Sequence, residues 1–167
     1  MCTEVLERGR GELISCTEFI PVYSELFIFL EQQGGKTAVI RFWEHLSDSF
    51  LTNLRDLVAR KGLAGCYEYW SHTLSDEAAD FKMSLDEDSH VFTIEMRRCP
   101  SKGRLLEEKS SKIYPDYCLH CDILYRRVLE PLGYEYHIDL SNSGDARCKL
   151  VVSEISIKSK AMYNQQE

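Results

Sequence analysis

The sequence has no apolar run approaching the roughly 20 residues that a membrane-spanning helix needs, because charge interrupts each such stretch within a few residues. A membrane-embedded chain is not expected. An excess of positive charge is also missing: the formal net charge is -7, whereas a phosphate backbone is gripped by Lys and Arg that displace its counterions. Nucleic acid is therefore not an expected partner. Nor is there a paired disulfide framework or an opening charged-then-apolar leader; the cysteine count of seven is odd, and 167 residues can bury a core without staples. These absences point to a cytoplasmic chain with free thiols or thiolate ligands.

What is present reads as α+β. Residues 1–20 have no clear period and are expected as an arm or short leading element, residues 21–157 as a single domain, and residues 158–167 as a polar tail. From Pro21 a dense aliphatic and aromatic run predicts a buried helix that stops near Gln33, before Gly34 and Gly35. Val39, Phe42, Trp43, Leu46, Phe50, Leu54, Leu57 and Val58 then recur at spacings of three and four, which predicts one long amphipathic helix over 36–61. A short aromatic segment at 67–72 and a capped helical turn at 75–80 follow.

Alternation over 81–86 and 91–97, broken by a polar tetrapeptide, predicts an antiparallel hairpin that ends at Cys99-Pro100. After a small helical candidate at 101–110, Asp116 can cap a helix of about 16 residues ending before Gly133. Residues 134–140 and 149–155 alternate around the turn Ser141-Asn142-Ser143-Gly144-Asp145 and predict a second hairpin. The expected architecture is N-terminal helices packed on a mainly antiparallel sheet of about four strands, with a helix inserted between two hairpins.

Four cysteines fall within this second half with the spacing C-x18-C-x2-C-x26-C: Cys99, Cys118, Cys121 and Cys148. Cys118 and Cys121 lie one helical turn apart at an expected helix start, where unpaired N–H groups favour thiolate. His120 lies between them and on a regular helix points to a different side. Several readings compete. Small sulfur side chains fill cores readily. Cys118 and Cys121 could hold zinc together with Cys99 and Cys148, or with His120 or His137, although the second CxxC of the stronger zinc pattern is absent. A metal-free hydrolytic site would use one thiolate as nucleophile, with His120, His137 or an Asp moving protons. A redox dithiol is the fourth, but no buried strand precedes this CxxC.

The order of Arg98-Cys99-Pro100, Tyr117-Cys118-Leu119-His120-Cys121, Leu132-Gly133-Tyr134 and Gly144-Asp145-Ala146-Arg147-Cys148 resembles the L-2-amino-thiazoline-4-carboxylic acid hydrolase family over about residues 20–155. The resemblance implies hydrolytic opening of a small cyclic amidine-like C–N/C–S bond. On that footing Cys118, Cys121 and Cys148 are candidates for the activating group, and His120 and Asp145 for proton transfer or orientation. Arg98 or Arg147 would receive the substrate carboxylate, and Trp43 and Tyr69 would line the substrate pocket. The alternative is a non-catalytic small-molecule-binding or sensory module, similar to vinyl-reductase-type ligand domains in its helix-then-sheet order. There Phe42, Trp43, Tyr67, Tyr69 and Trp70 would line an apolar cavity, with the cysteines as a structural metal site or ligand contacts.

Overall fold

A computed structural model of the protein describes residues 4–9, 19–108 and 112–155; the expected tail, Cys2 and Cys16 lie outside them. The strands are β1 (Glu4–Arg8), β2 (Asp80–Asp86), β3 (Val91–Arg98), β4 (Tyr134–Asp139) and β5 (Cys148–Glu154). They form one antiparallel sheet in the order β1-β2-β3-β5-β4. Both expected hairpins are there, and the leading residues add a fifth, edge strand that the aperiodic arm did not reveal.

Period-two burial decides which face of the sheet carries the core. Phe81, Met83 and Leu85 of β2, Phe92, Ile94 and Met96 of β3, and Leu150 and Val152 of β5 are buried, while their alternating neighbours are less so. In register, Met83 faces Ile94, Ile94 faces Leu150, and Leu150 faces Ile138, so one apolar layer crosses the sheet. The α-helices among the described residues are α1 (Phe19–Phe50), α2 (Thr52–Lys61), α3 (Leu63–Asp76), α4 (Pro100–Glu107) and α5 (Leu119–Leu129).

The first long helix breaks at Gly34 and Gly35, where Gly35 has a φ of 69° that a side chain would resist. This is the stop expected after Gln33. The helix expected over 36–61 is instead two, parting at Leu51 and leaving Phe50 exposed. Ser47, Asp48, Ser49, Thr52 and Asn53 surround that break, and their short polar side chains favour non-helical turns as much as helix. Between α2 and α3, Gly62 takes φ 62°, and a Cβ on Gly65 would meet the backbone oxygen of Leu57 at 2.4 Å. Only a glycine there lets α3 press against α2.

Among the described residues two apolar cores result. The larger fills the space between the sheet and α2, α3 and α5, and includes Leu54, Val58, Cys66, Trp70 and Leu129. The smaller gathers Phe27, Val39, Trp43, Leu105, Tyr114 and Tyr117. Buried Ser24 ties α1 to the segment before α5: its Oγ donates to the Lys112 carbonyl at 3.2 Å and accepts from the Tyr114 N–H at 2.9 Å. Asp116 does not cap α5. Its carboxylate pairs with Lys36 at 2.6 Å, and Cys118 occupies the N-cap position without a side-chain hydrogen bond, so the helix is shorter than expected. No helix among the described residues is long and apolar enough to cross a membrane.

Candidate functional site

Between the two cores lies a cavity of about 220 Å³. The sheet contributes Ile94, Met96, Ile138, Cys148 and Leu150; α3 contributes Trp70, Leu74 and, just past its end, Glu77. The start of α4 brings Cys99 to Lys102, and the start of α5 brings Tyr117, Cys118, His120, Cys121 and Tyr125. The loop between β4 and β5 closes the wall with Leu140, Ser143, Ala146 and Arg147. All four expected cysteines thus meet in one place. The fifth described thiol, Cys66, is in the larger core instead.

Local chemistry explains the convergence. Pro100 ends the β3 ladder because it has no N–H to donate, and it is tolerated as the first residue of α4. Cys99 caps that helix: its Sγ accepts from the Lys102 N–H at 3.4 Å, and its own N–H donates to the Ala146 carbonyl at 2.7 Å. That second bond fastens the end of β3 to the turn before β5. Ala146 holds a left-handed φ of 58° to present its carbonyl there, a conformation that costs a non-glycine residue about 1 kcal/mol. Cys148 then starts β5 opposite Met96 on the inner face.

The geometry around His120 is the most specific feature of the site. Its Nδ1 is in contact with the Tyr117 carbonyl oxygen, an atom that can only accept, so Nδ1 carries the proton. In the neutral ring Nε2 is then bare, and it accepts from the Cys121 thiol with Sγ and Nε2 3.4 Å apart. On its other flank the imidazole is enclosed by Tyr23, Phe27, Trp43 and Tyr117, with ring centroids 5.7, 6.0, 6.4 and 4.9 Å away. Desolvation by that cage drives the His120 pKa down to about 4, against the backbone bond that supports the cation. At neutral pH the ring is an acceptor at Nε2 and a donor at Nδ1.

Burial likewise pushes all four thiols up: Cys99 to about 11, Cys148 to about 12, Cys118 above its ordinary value and Cys121 well above it. Cys99, Cys148 and Cys118 also raise Cys121 through charge, as expected of thiols crowded together. The thiolate-favouring helix terminus is therefore outweighed by desolvation, a correction to the expectation from sequence. The resting pair is thiol and imidazole. Among the described residues no three His, Cys, Asp or Glu side chains are arranged to hold a metal ion, so what Cys99, Cys118, Cys121 and Cys148 share is the lining of one cavity.

Other expected residues fall elsewhere. Asp145 does not line the cavity; its exposed carboxylate pairs with Arg147 at 2.9 Å, because the Gly144-Asp145 turn faces solvent. Arg147 does line the cavity, with its guanidinium engaged by Asp145. Arg98 turns to α4, donating to the Glu107 carboxylate at 2.6 Å and the Gly103 carbonyl at 3.4 Å. Trp43 is buried in the smaller core behind His120, and Tyr69 packs on Trp70 at 5.6 Å without lining the cavity. His137 is exposed on β4, away from the thiols.

Comparison with known protein families, curated proteins and solved structures returned no match. Sequence reasoning overlooked Glu77, Lys102 and Tyr125. Glu77 and Lys102 read as ordinary surface charges beside Asp76 and Ser101, and only the tertiary fold brings the end of α3 and the start of α4 to one cavity. Burial in company with Glu77, Tyr69 and Cys121 raises the Tyr125 phenol well above its usual range.

Proposed function

We propose that the protein is a hydrolase that opens a small cyclic amidine, of the L-2-amino-thiazoline-4-carboxylate type, at Cys121. The observation that carries this reading is the Cys121 thiol held 3.4 Å from a neutral, correctly tautomeric His120 inside a cavity sized for a small metabolite. A nucleophile, a base and a group that orients the base are the minimum for covalent catalysis, and the Tyr117 carbonyl supplies the third. The resemblance of the cysteine-centred segments to the aminothiazoline-carboxylate hydrolases supports the same chemistry.

In the first half of the reaction Cys121 Sγ adds to the amidine carbon while its proton moves to His120 Nε2. The ring C–S bond breaks, and the imidazolium returns that proton to the departing sulfur, leaving an isothiourea on Cys121 and a free thiol on the substrate. A water then adds to the same carbon, with His120 taking its proton. Collapse expels Cys121 as the thiol and leaves a carbamoyl group on the substrate nitrogen. One water is consumed and no ammonia is released. Each unit of pKa gap between thiol and imidazole adds about 1.4 kcal/mol to the first proton transfer, so substrate must supply part of the driving force.

The test is incubation of the full chain with L-2-amino-thiazoline-4-carboxylate, following N-carbamoylcysteine by mass and by its new thiol. Cys121→Ser is expected to lower turnover by at least about 10²-fold, the usual scale for losing such a group. Undiminished turnover in that variant removes Cys121 from the reaction. A binding module without turnover is the second reading, favoured by the raised thiols and lowered His120, which keep the resting pair un-ionised. Saturable binding of the same compound with no product supports it.

A further inference from the structure

Among the described residues three charged side chains line the cavity with the neutral His120, and they differ in what they do with their charge. Arg147 is neutralised by Asp145. Glu77 and Lys102 have no ion-pair or side-chain hydrogen-bond partner among the described residues, and they do not pair with each other. Their fields fall on different thiols: Lys102 favours the thiolate of Cys118, whereas Glu77 opposes that of Cys121 and Cys99. Much of the remaining wall is apolar, including Trp70, Leu74, Ile94 and Met96. The cavity that holds Cys121 and His120 thus carries a negative group from the end of α3 and a positive one from the start of α4 in its wall.

We propose that Glu77 and Lys102 are the specificity-determining residues of the site: Glu77 receives the protonated nitrogen of the ligand, and Lys102 receives its carboxylate. The assignment rests on the same cavity as the hydrolase reading, but concerns recognition and holds whether or not turnover follows. A ligand so oriented lays its cationic amidine beside Cys121 Sγ and points its anionic end toward the start of α4. Glu77 is exposed overall, while the protein packed around it raises its carboxyl pKa. Its unmet charge is therefore only mildly unfavourable, and the gain comes when a cation displaces water from it. Arg98, one of the two cations suggested by sequence, pairs with Glu107 and does not line the cavity.

Calorimetric titration of Cys121→Ser full chain, which blocks the proposed covalent step, separates the charges with three probes. These are 2-amino-thiazoline-4-carboxylate, its methyl ester, which keeps the cation alone, and thiazole-4-carboxylate, which keeps the anion alone. The two-charge compound is expected to bind about ten-fold or more tightly than either single-charge probe, as for loss of one charged hydrogen bond. Lys102→Met should weaken the two-charge compound and leave the ester unchanged, with Lys102→Arg restoring most of the loss. Glu77→Gln should weaken the two-charge compound and leave thiazole-4-carboxylate unchanged. Equal losses for all probes, no loss, or no binding of the two-charge compound at millimolar concentration overturns the proposal. Product formation by the unmodified chain without such charge selectivity would retain the hydrolase reading and discard this one; selectivity without product would do the reverse.

Discussion

Replacing His120 by Gln removes a group whose folded-state pKa is about 4 against an ordinary 6.5. Above pH 6.5 both folded and unfolded chains hold this histidine neutral, and it contributes no pH-dependent stability. As pH falls from 6.5 toward 4, the unfolded chain takes up a proton that the aromatic cage denies to the folded one, so stability is lost through that window and the loss is complete below pH 4. Its full size is about 3 kcal/mol, and about 2 kcal/mol has gone by pH 5. Urea unfolding between pH 7.5 and pH 5 measures it. The native chain should lose about 2 kcal/mol more than His120→Gln across that range, or about 1 M in midpoint for a urea slope near 2 kcal/mol per M. Using the difference cancels the carboxylates and the exposed histidines. Parallel pH profiles for the two proteins would refute the buried neutral imidazole, and with it the assignment of Nε2 as acceptor for Cys121.

Three further outcomes test the surrounding structure. In a Cys2→Ser/Cys16→Ser background, an aromatic disulfide reagent at pH 8 should find the cavity thiols slow and release all five remaining thiols only on unfolding, because burial raises Cys66, Cys99, Cys118, Cys121 and Cys148; one fast native thiol would contradict this. Gly65→Ala forces a Cβ to within 2.4 Å of the Leu57 oxygen, a backbone atom that cannot swing away, so thermal unfolding should show a loss of about 1–3 kcal/mol, and an unchanged midpoint would argue against the α2–α3 contact. Ser24→Ala leaves the buried Tyr114 N–H without its acceptor and should cost about 1–3 kcal/mol in denaturant unfolding, with larger effects near Tyr117 than near β1 by hydrogen exchange.

The site was legible where spacing and residue type coincide. Cys99 beside Pro100, the Cys118–Cys121 pair and Cys148 after a turn each stand at the end of a recognisable element, and the ends of elements are what converge here. Residues chosen for charge or ring alone fared worse. Arg98, Asp145, Trp43 and Tyr69 have the right chemistry, but their direction depends on which partners the folded chain offers them: Glu107 draws Arg98 aside, Arg147 pairs with Asp145, and the Phe27–Tyr114 cluster encloses Trp43. His120 shows the opposite error. A regular helix would aim it away from Cys121, but at the first turn of α5 its ring folds back to the Tyr117 carbonyl and brings Nε2 to the thiol.

By itself the sequence determined the α+β arrangement, because helical and alternating apolar periods are properties of neighbouring residues that each element satisfies locally. It also singled out Cys99, Cys118, Cys121 and Cys148 by their places at the ends of elements, while their meeting in one cavity depended on the fold. Only the tertiary structure decided the protonation of those groups. Desolvation and ring packing are sums over atoms contributed by α1, α3, α5 and the sheet, and they outweigh the local pull of a helix terminus on Cys121 and make His120 a neutral acceptor.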